Sequence, residues 1–354
     1  MTVNAASCRV TLEGVTKAFD GNVVIDAIDL DIKAGSLTTL LGPSGCGKTT
    51  ILRLIAGLEM ADGGHIRIGE QDVTALSASH RDVAMVFQSY ALFPHMTVEE
   101  NVGYGLKVQN VAAAERRSRV QAALADVGLA GFGDRYIDQM SGGQQQRVAV
   151  ARALILEPKV MLFDEPLSNL DTKLRRSMRE DIRRLQQSTG ITSVYVTHDQ
   201  SEALAVSDEV VVMSAGKIAQ IGTPEELYRR PASTFVATFM GDANILQGKA
   251  AGSGGAFVIE IGDYRLALSD VRPEVSAGPV SIAVRPESMR LLRPGTGEGL
   301  PAEVRSWAYV GSANEYLVDY RGEELFVITP AGSSVFRPGE AVAVAIDPFG
   351  VAVI

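Results

Sequence analysis

The feature that most constrains this chain is the stretch Gly42-Pro43-Ser44-Gly45-Cys46-Gly47-Lys48-Thr49, set between the apolar run SLTTLLG and the helical pattern TTILRLIAGL. Glycines, a lysine and a hydroxyl at this spacing, after a strand and before a helix, make a loop whose backbone N–H groups turn inward on an anion. The helix N-terminus adds partial positive charge, Lys48 neutralises outer phosphate oxygens, and Thr49 offers a hydroxyl to Mg²⁺. The context holds, because Ile51, Leu52, Leu54, Ile55 and Leu58 fall at helical spacing directly after the loop.

The rest of the pattern supplies a fold around that loop. From residue 8 to about 35, RVTLEGV and NVVIDAIDLDI alternate with turn signals at Asp20-Gly21 and Ala34-Gly35, which predicts an antiparallel N-terminal sheet. Helices are expected over 111–127 and 143–156, the second stopped by Pro158, followed by the compact strand VMLFDEP. An amphipathic helix comes next, with Leu174, Met178, Ile182 and Leu185 on one stripe, Asp171 at its start and Gly190 at its end. The strand TSVYVT, a short helix, the hairpin VVVMSAGKIAQI and a last helix opened by Thr223-Pro224-Glu225-Glu226 complete this part. Strands alternating with helices over 36–200 predict a mostly parallel sheet covered by helices.

Near residue 240 the grammar changes. Short strands (FVIEI, YRLALS, VSIAV, YLVDY, LFVIT, AVAVAI) sit between Gly and Pro clusters such as RPGTGEGLP, so a small β-barrel or sandwich is expected over 241–354. Within it SIAVRPESMRLL echoes VAVAIDPFGVAVI: each ends a strand at Pro and resumes with apolar residues. The expected division is thus 1–240 and 241–354.

Composition narrows the partners. Among 354 residues, 33 Lys and Arg face 42 Asp and Glu, a formal charge of −9 that argues against a broad grip on nucleic acid. A phosphate ligand needs a local site. Cys8 and Cys46 are too few for a disulfide framework, and MTVNAASCRV lacks the apolar core of a signal peptide, so a soluble protein of a reducing cytosol is expected. Cys46 reads as a small residue tolerated by tight packing rather than a redox or metal centre. No apolar run approaches the ~18–20 residues needed to cross a bilayer, so a membrane role would be lent by another chain.

Two further stretches complete a nucleotide chemistry. VMLFDEP sets Asp164 and Glu165 at a strand end, Asp164 to hold Mg²⁺ through water and Glu165 to polarise an attacking water. MSGGQQQR places Ser141, Gly142, Gly143 and Gln144 at the start of a predicted helix, a second helix end ready for an anion.

The phosphate loop, Gln88 after AMVF, the SGGQ segment, FDEP, SNLD and VTHD occur in the order found in ABC-transporter ATPase subunits, and the resemblance covers nearly the first 240 residues. It implies an α/β P-loop NTPase with a helical subdomain at about 89–158, ATP with Mg²⁺, and hydrolysis to ADP and phosphate. By the same resemblance Phe19 in KAFDG stacks on adenine, while Gly42, Ser44, Gly45, Cys46, Gly47, Lys48, Thr49 and Thr50 hold the phosphates. Thr49, Gln88 and Asp164 hold the metal. Glu165, Gln88 and His198 serve hydrolysis, Gln88 touching Mg²⁺ and the attacking water and His198 the γ-phosphate. His65, His80 and His95 match no such position, and Met140 stands where leucine is usual, a volume-conserving change.

In this family the SGGQ segment of one subunit closes over the nucleotide of another, with Ser168, Asn169, Leu170 and Asp171 along the seam. The resemblance therefore implies a homodimer enclosing two ATP, with Ser141, Gly142, Gly143, Gln144 and Asp171 facing nucleotide. SYALFPHMTVEENV, too loosely patterned for a core helix, matches the family's groove for a short helix of a membrane subunit. Packing of Leu92, Phe93, Met96 and Val98 under a loop is an equal alternative. Residues after 240 resemble the OB-like β-barrel of importer ATPases for sugars, polyamines, ferric iron and phosphonates, YVGSANEYLVDYRGEELFV and VRPE favouring the polyamine and iron branch. Dimer bracing or regulation by a small ligand is its expected role.

The implied partners are a second copy, transmembrane permease subunits and, indirectly, an extracytoplasmic solute-binding protein, at the cytoplasmic face of the cell membrane. The competing reading is a soluble ABC ATPase acting as a regulatory or nucleic-acid-associated switch. Chromosome-type members carry a long coiled coil between the halves of the site, and the segment between Thr49 and Ser141 is too short for one. Translation-factor members hold two cassettes, whereas one set of motifs occurs here.

Overall fold

Two long strands, β1 (Val10–Phe19) and β2 (Asn22–Ile32), turn at Asp20-Gly21 and pair antiparallel, as the alternation predicts. The chain then dives into the centre as β3 (Leu37–Leu41), every residue buried, and leaves through the phosphate loop into α1 (Lys48–Ala56). β4 (Gly63–Ile68) and β5 (Gln71–Asp72) return to the first sheet, and β6 (Val83–Val86) begins the edge of the second. Three helices follow: α2 (Val98–Val108), α3 (Ala113–Asp126) and α4 (Gly142–Leu154). The core resumes with β7 (Val160–Asp164), α5 (Thr172–Thr189), β8 (Thr192–Thr197), α6 (Gln200–Val206), β9 (Glu209–Ser214) and β10 (Lys217–Gly222). The larger sheet runs β10-β9-β3-β8-β7-β6, parallel except for β10.

The structure is a computed structural model describing residues 7–253, 256–268, 277–295 and 299–354. The N-terminal, YRLALS and RPGTGEGLP readings fall partly on residues 1–6, 269 and 296–298, outside the described residues.

Strand alternation divides the core into two faces. Val160 and Leu162 of β7 and Val194 and Val196 of β8 point to the side filled by Ile51, Leu52, Leu54 and Ile55 of α1 and by the antiparallel sheet. Met161, Phe163 and Tyr195 point the other way, onto Ala149 and Val150 of α4 and Met178 and Ile182 of α5. A third cluster joins Val98, Val102 and Leu106 of α2 to Val120 and Leu124 of α3 and Val148 of α4. This corrects the reading of 89–102 as too loose for a core helix: Thr97 accepts from the Glu100 N–H while the Glu100 carboxylate accepts from the Thr97 N–H, a capping box that starts α2. Val98 is fully buried there, whereas Leu92, Phe93 and Met96, in the loop before it, are half-buried.

The second compact unit begins at Glu225, before the composition change at 240. The reason is Arg285, whose guanidinium donates to the carbonyls of Ala237 (2.8 Å), Met240 (2.7 Å) and Tyr228. Those carbonyls end α7 (Pro224–Arg229) and α8 (Thr234–Phe239), so both helices are tied to the β-rich unit. Its strands are β11 (Asn244–Ser253), β12 (Ala256–Ile261), β13 (Tyr264–Leu268), β14 (Gly278–Val284), β15 (Met289–Leu292), β16 (Leu300–Tyr309), β17 (Ala313–Tyr320), β18 (Glu323–Pro330), β19 (Ala341–Ile346) and β20 (Val351–Val353). They form two antiparallel five-stranded sheets, β13-β12-β11-β14-β20 and β15-β19-β16-β17-β18, around one apolar core that includes Leu246, Ile282, Tyr316, Val327 and Val344.

The sequence echo is a structural pair. β14 pairs with β20 and β15 with β19, so two strand–proline–strand segments cross side by side from one sheet to the other. Reciprocal hydrogen bonds lock the crossing, Arg285 N–H to the Gly350 carbonyl at 2.9 Å and Asp347 N–H to the Ser288 carbonyl at 2.8 Å.

Candidate functional site

The phosphate loop is held tightly by what surrounds it. A Cβ on Gly42 would lie 2.5 Å from the Met213 carbonyl oxygen and 2.7 Å from Cys46 Sγ, so no larger residue fits. Cys46 is buried in the core cluster of α1, the small packing residue its position predicts. Ser44 and Gly45 are exposed, and Thr50 is half-buried on the first turn of α1. Lys48 is buried, and its ammonium donates to the carbonyls of Gly42 (2.7 Å) and Pro43 (2.9 Å), which holds the charge inside the loop's curve.

Parallel pairing brings the acids to this loop. β7 delivers Asp164 so that the Thr49 hydroxyl donates to its carboxylate at 3.1 Å. Burial pushes the Asp164 carboxyl above the ordinary aspartate range, opposed by the Thr49 hydrogen bond and Arg53 and reinforced by Glu165. Hard oxygens from one hydroxyl and one carboxylate fit Mg²⁺, which takes few protein ligands and completes its shell with phosphate and water. Consistently, no cluster of three or more His, Cys, Asp or Glu gathers into an all-protein cage among the described residues.

Glu165 follows in a left-handed conformation (φ 43°) that turns it off the strand axis, with its N–H donating to the Val196 carbonyl at 3.1 Å. Its carboxylate lies 3.3 Å from Nδ1 of His198, at the end of β8. The Ser168 hydroxyl donates to the Glu165 carbonyl at 3.0 Å and accepts from the Gln88 side-chain amide at 3.1 Å, while the Asn169 amide donates to the Gln88 carbonyl at 2.9 Å. Thr49 with Asp164, and Gln88 with Glu165 and His198, thus gather at the C-terminal ends of β3, β6, β7 and β8, where open α/β sheets place ligands. Phe19, at the end of β1, is 40% exposed with Lys17 above its ring, so it is available for stacking.

The SGGQ segment is built differently. Ser141 caps α4 through a reciprocal box with Gln144, and Ser141 and Gly142 are exposed. Gly143 is buried because a Cβ there would meet the Leu174 side chain at 2.8 Å. Asp171 caps α5 by accepting from the Leu174 N–H at 2.9 Å, a structural duty beside the seam position the sequence implied. Sequence reasoning missed Arg175, which donates to the Leu170 carbonyl (3.2 Å) and to Asp199 (3.4 Å) and joins the 168–171 segment to the residue after His198.

These features define a P-loop ATPase whose second anion-ready helix start faces outward. Residues 25–168 match the ABC transporter family and residues 282–354 match the TOBE domain. A Fe(3+) ions import ATP-binding protein of Photorhabdus laumondii is 55% identical over 344 residues, covering 96% of this chain and 95% of that one. Its Escherichia coli K12 counterpart is 54% identical over 347 residues, covering 98% and 97%. Among solved structures, the dimeric post-hydrolysis state of the ATP-binding cassette MJ0796 with ADP and Pi matches with a TM-score of 0.55 and 30% identity, over 61% of this chain and 98% of that one. The chain belongs to the ABC transporter ATP-binding subunits of bacterial importers that carry a C-terminal TOBE domain, an OB-like fold. As such it binds ATP with Mg²⁺ and hydrolyses it to power import.

Proposed function

We propose that this chain drives ferric-iron import as one of two identical ATPase subunits, docked on transmembrane permease subunits at the cytoplasmic face of the membrane. The observation that carries the reading is the contrast in one chain between a catalytic cluster gathered around Lys48, Asp164 and Glu165 and a helix start exposed at Ser141 and Gly142. A γ-phosphate held by the loop alone faces solvent. A second helix N-terminus from another copy supplies charge stabilisation and excludes water. The dimeric neighbour supports this pairing, and the iron-import relatives support the cargo over polyamines, phosphonates and sugars.

In this scheme Lys48 and the loop N–H groups bind the phosphates, Phe19 stacks on the base, and Thr49, Asp164 and Gln88 hold Mg²⁺. The metal offsets phosphate charge when bound. Glu165 accepts a proton from the attacking water, and His198 holds the Glu165 carboxylate from one side while reaching the γ-phosphate from the other. Closure brings Ser141–Gln144 and the Ser168–Asp171 segment of the second copy to that cluster.

The E165Q variant tests the catalytic core. It retains ATP, loses turnover by about 10²–10⁴-fold, the scale of a general base, and gains a stable Mg-ATP dimer by light scattering. Unchanged turnover, or a monomer under those conditions, overturns the assignment. Uptake by the complex assembled with its permease, assayed against ferric iron, polyamines, phosphonates and sugars, tests the cargo; iron-independent uptake refutes it.

A further inference from the structure

The loop that carries Gln88 is held by an arginine that the phosphate chemistry does not require. Tyr90 and Ala91 follow with φ of 62° and 47°, two consecutive non-glycine residues in the left-handed region. Such a pair persists only where its surroundings impose it. Here both carbonyls meet one guanidinium: Arg152, near the end of α4, donates to Tyr90 O at 2.8 Å and to Ala91 O at 2.7 Å. Among the described residues no carboxylate pairs with Arg152, and burial pushes its pKa down. The Phe93 ring, 5.6 Å away, covers one side.

A partly buried cation without a counter-ion is a costly way to tie two segments. Simple packing of α4 against the loop would be served by an apolar residue of the same length. What the planar fork adds is geometry, since two N–H groups fixed in one plane set the direction as well as the distance of two successive carbonyls, which a freely rotating ammonium does not. On the other side Gln88 is tied to Asn169 and Ser168. Its position is therefore set from two directions, the strand-end segment and α4. α4 is also the helix that starts at Ser141 and Gly142. A rigid helix transmits any displacement of its start to Arg152.

We propose that Arg152 is a positioning residue for ATP hydrolysis, which fixes Gln88 by gripping the left-handed Tyr90–Ala91 turn and makes its placement depend on where α4 sits. The inference rests on the role proposed above for Gln88. Docking of the SGGQ helix start on a second copy's nucleotide then registers at the Gln88 loop of the same chain through one helix and one side chain.

A double-mutant cycle tests it, with kcat, KM for ATP and melting temperature measured for R152M, Q88A and the double variant of the full chain. R152M lowers kcat by about tenfold with KM within about twofold, and R152K, whose rotating ammonium can reach the carbonyls but does not fix their plane, lies between. In the Q88A background R152M costs less than about twofold, because the group through which it acts is gone. If R152M slows Q88A by the same factor as the parent, Arg152 acts independently of Gln88 and the inference falls while the reading of Gln88 stands. If Q88A is as fast as the parent, the reading of Gln88 falls and takes the inference with it. Where R152M does not fold, R152K is carried through the same cycle.

Discussion

Two helix starts in the ATPase unit are made of the same ingredients, glycine and a hydroxyl, yet reach opposite states. At 42–49 the loop is closed against the Met213 carbonyl, its lysine is buried and its threonine is paired with an acid at the end of β7, two strands away from β3 in the sheet. At 141–144 the serine and first glycine are exposed, and the side chains of Ser141 and Gln144 spend their hydrogen bonds on each other's backbone. A glycine-rich helix start is therefore not a site by composition alone. The strands around it decide whether it receives a charge, a metal-binding partner and a wall, or is left to meet them elsewhere.

A side chain added to one glycine at each place separates the two states most sharply. G42V forces a side chain into the Met213 carbonyl and Cys46, so nucleotide binding measured by fluorescence titration falls by at least about 10²-fold, the loss expected when backbone donors no longer converge. G143A pushes on a side chain, that of Leu174, and not on backbone, so binding stays within about threefold while turnover falls about tenfold. Equal loss of binding in both would erase the distinction. S141A is milder: removing the cap costs about 1 kcal/mol of helix stability, leaves ATP binding by the loop intact and lowers turnover several-fold.

The smallest effect is in pH. The Asp164 carboxyl titrates above its unfolded value because it is buried, so the folded chain binds that proton more tightly than the unfolded one. Stability from this group therefore falls as pH rises from the unfolded aspartate value through the raised folded one. D164N removes that slope, so melting curves of the nucleotide-free protein converge with the parent's at acid pH and lie above them at neutral pH. Ser141 has no counterpart, and S141A leaves the slope unchanged.

Much of this arrangement was legible because the informative residues were also the local structural signals. Asp171 and Gly190 bound α5 to the residue, and the compact apolar run VMLFD marked a strand ending in acid. α2 was not legible by periodicity because Gly103 and Gly105 dilute its pattern and lower its helix propensity. Gly105 is there for close packing, since a Cβ would meet Leu156 at 2.6 Å, a long-range reason that no local window contains. Its capping box was the signal that could have found it. β11 was hidden similarly, NILQGKAAGS being too poor in β-branched residues to read as a strand until β12 and β14 flank it. At the site, motif order located Gln88, Glu165 and His198, but the hydrogen bonds through Ser168 and Arg152 depend on side chains folding back across distant sequence.

The paired crossings at Pro286 and Pro348 give the β-rich unit a clasp rather than a hinge. Each sheet ends in a strand whose continuation is stitched into the other, and the two stitches hold each other at Arg285, Ser288, Asp347 and Gly350. Neither layer can peel away without undoing both seams, so this unit should melt in a single step. Trimming the last few residues, which supply one thread of that clasp, would loosen the far layer as readily as the near one.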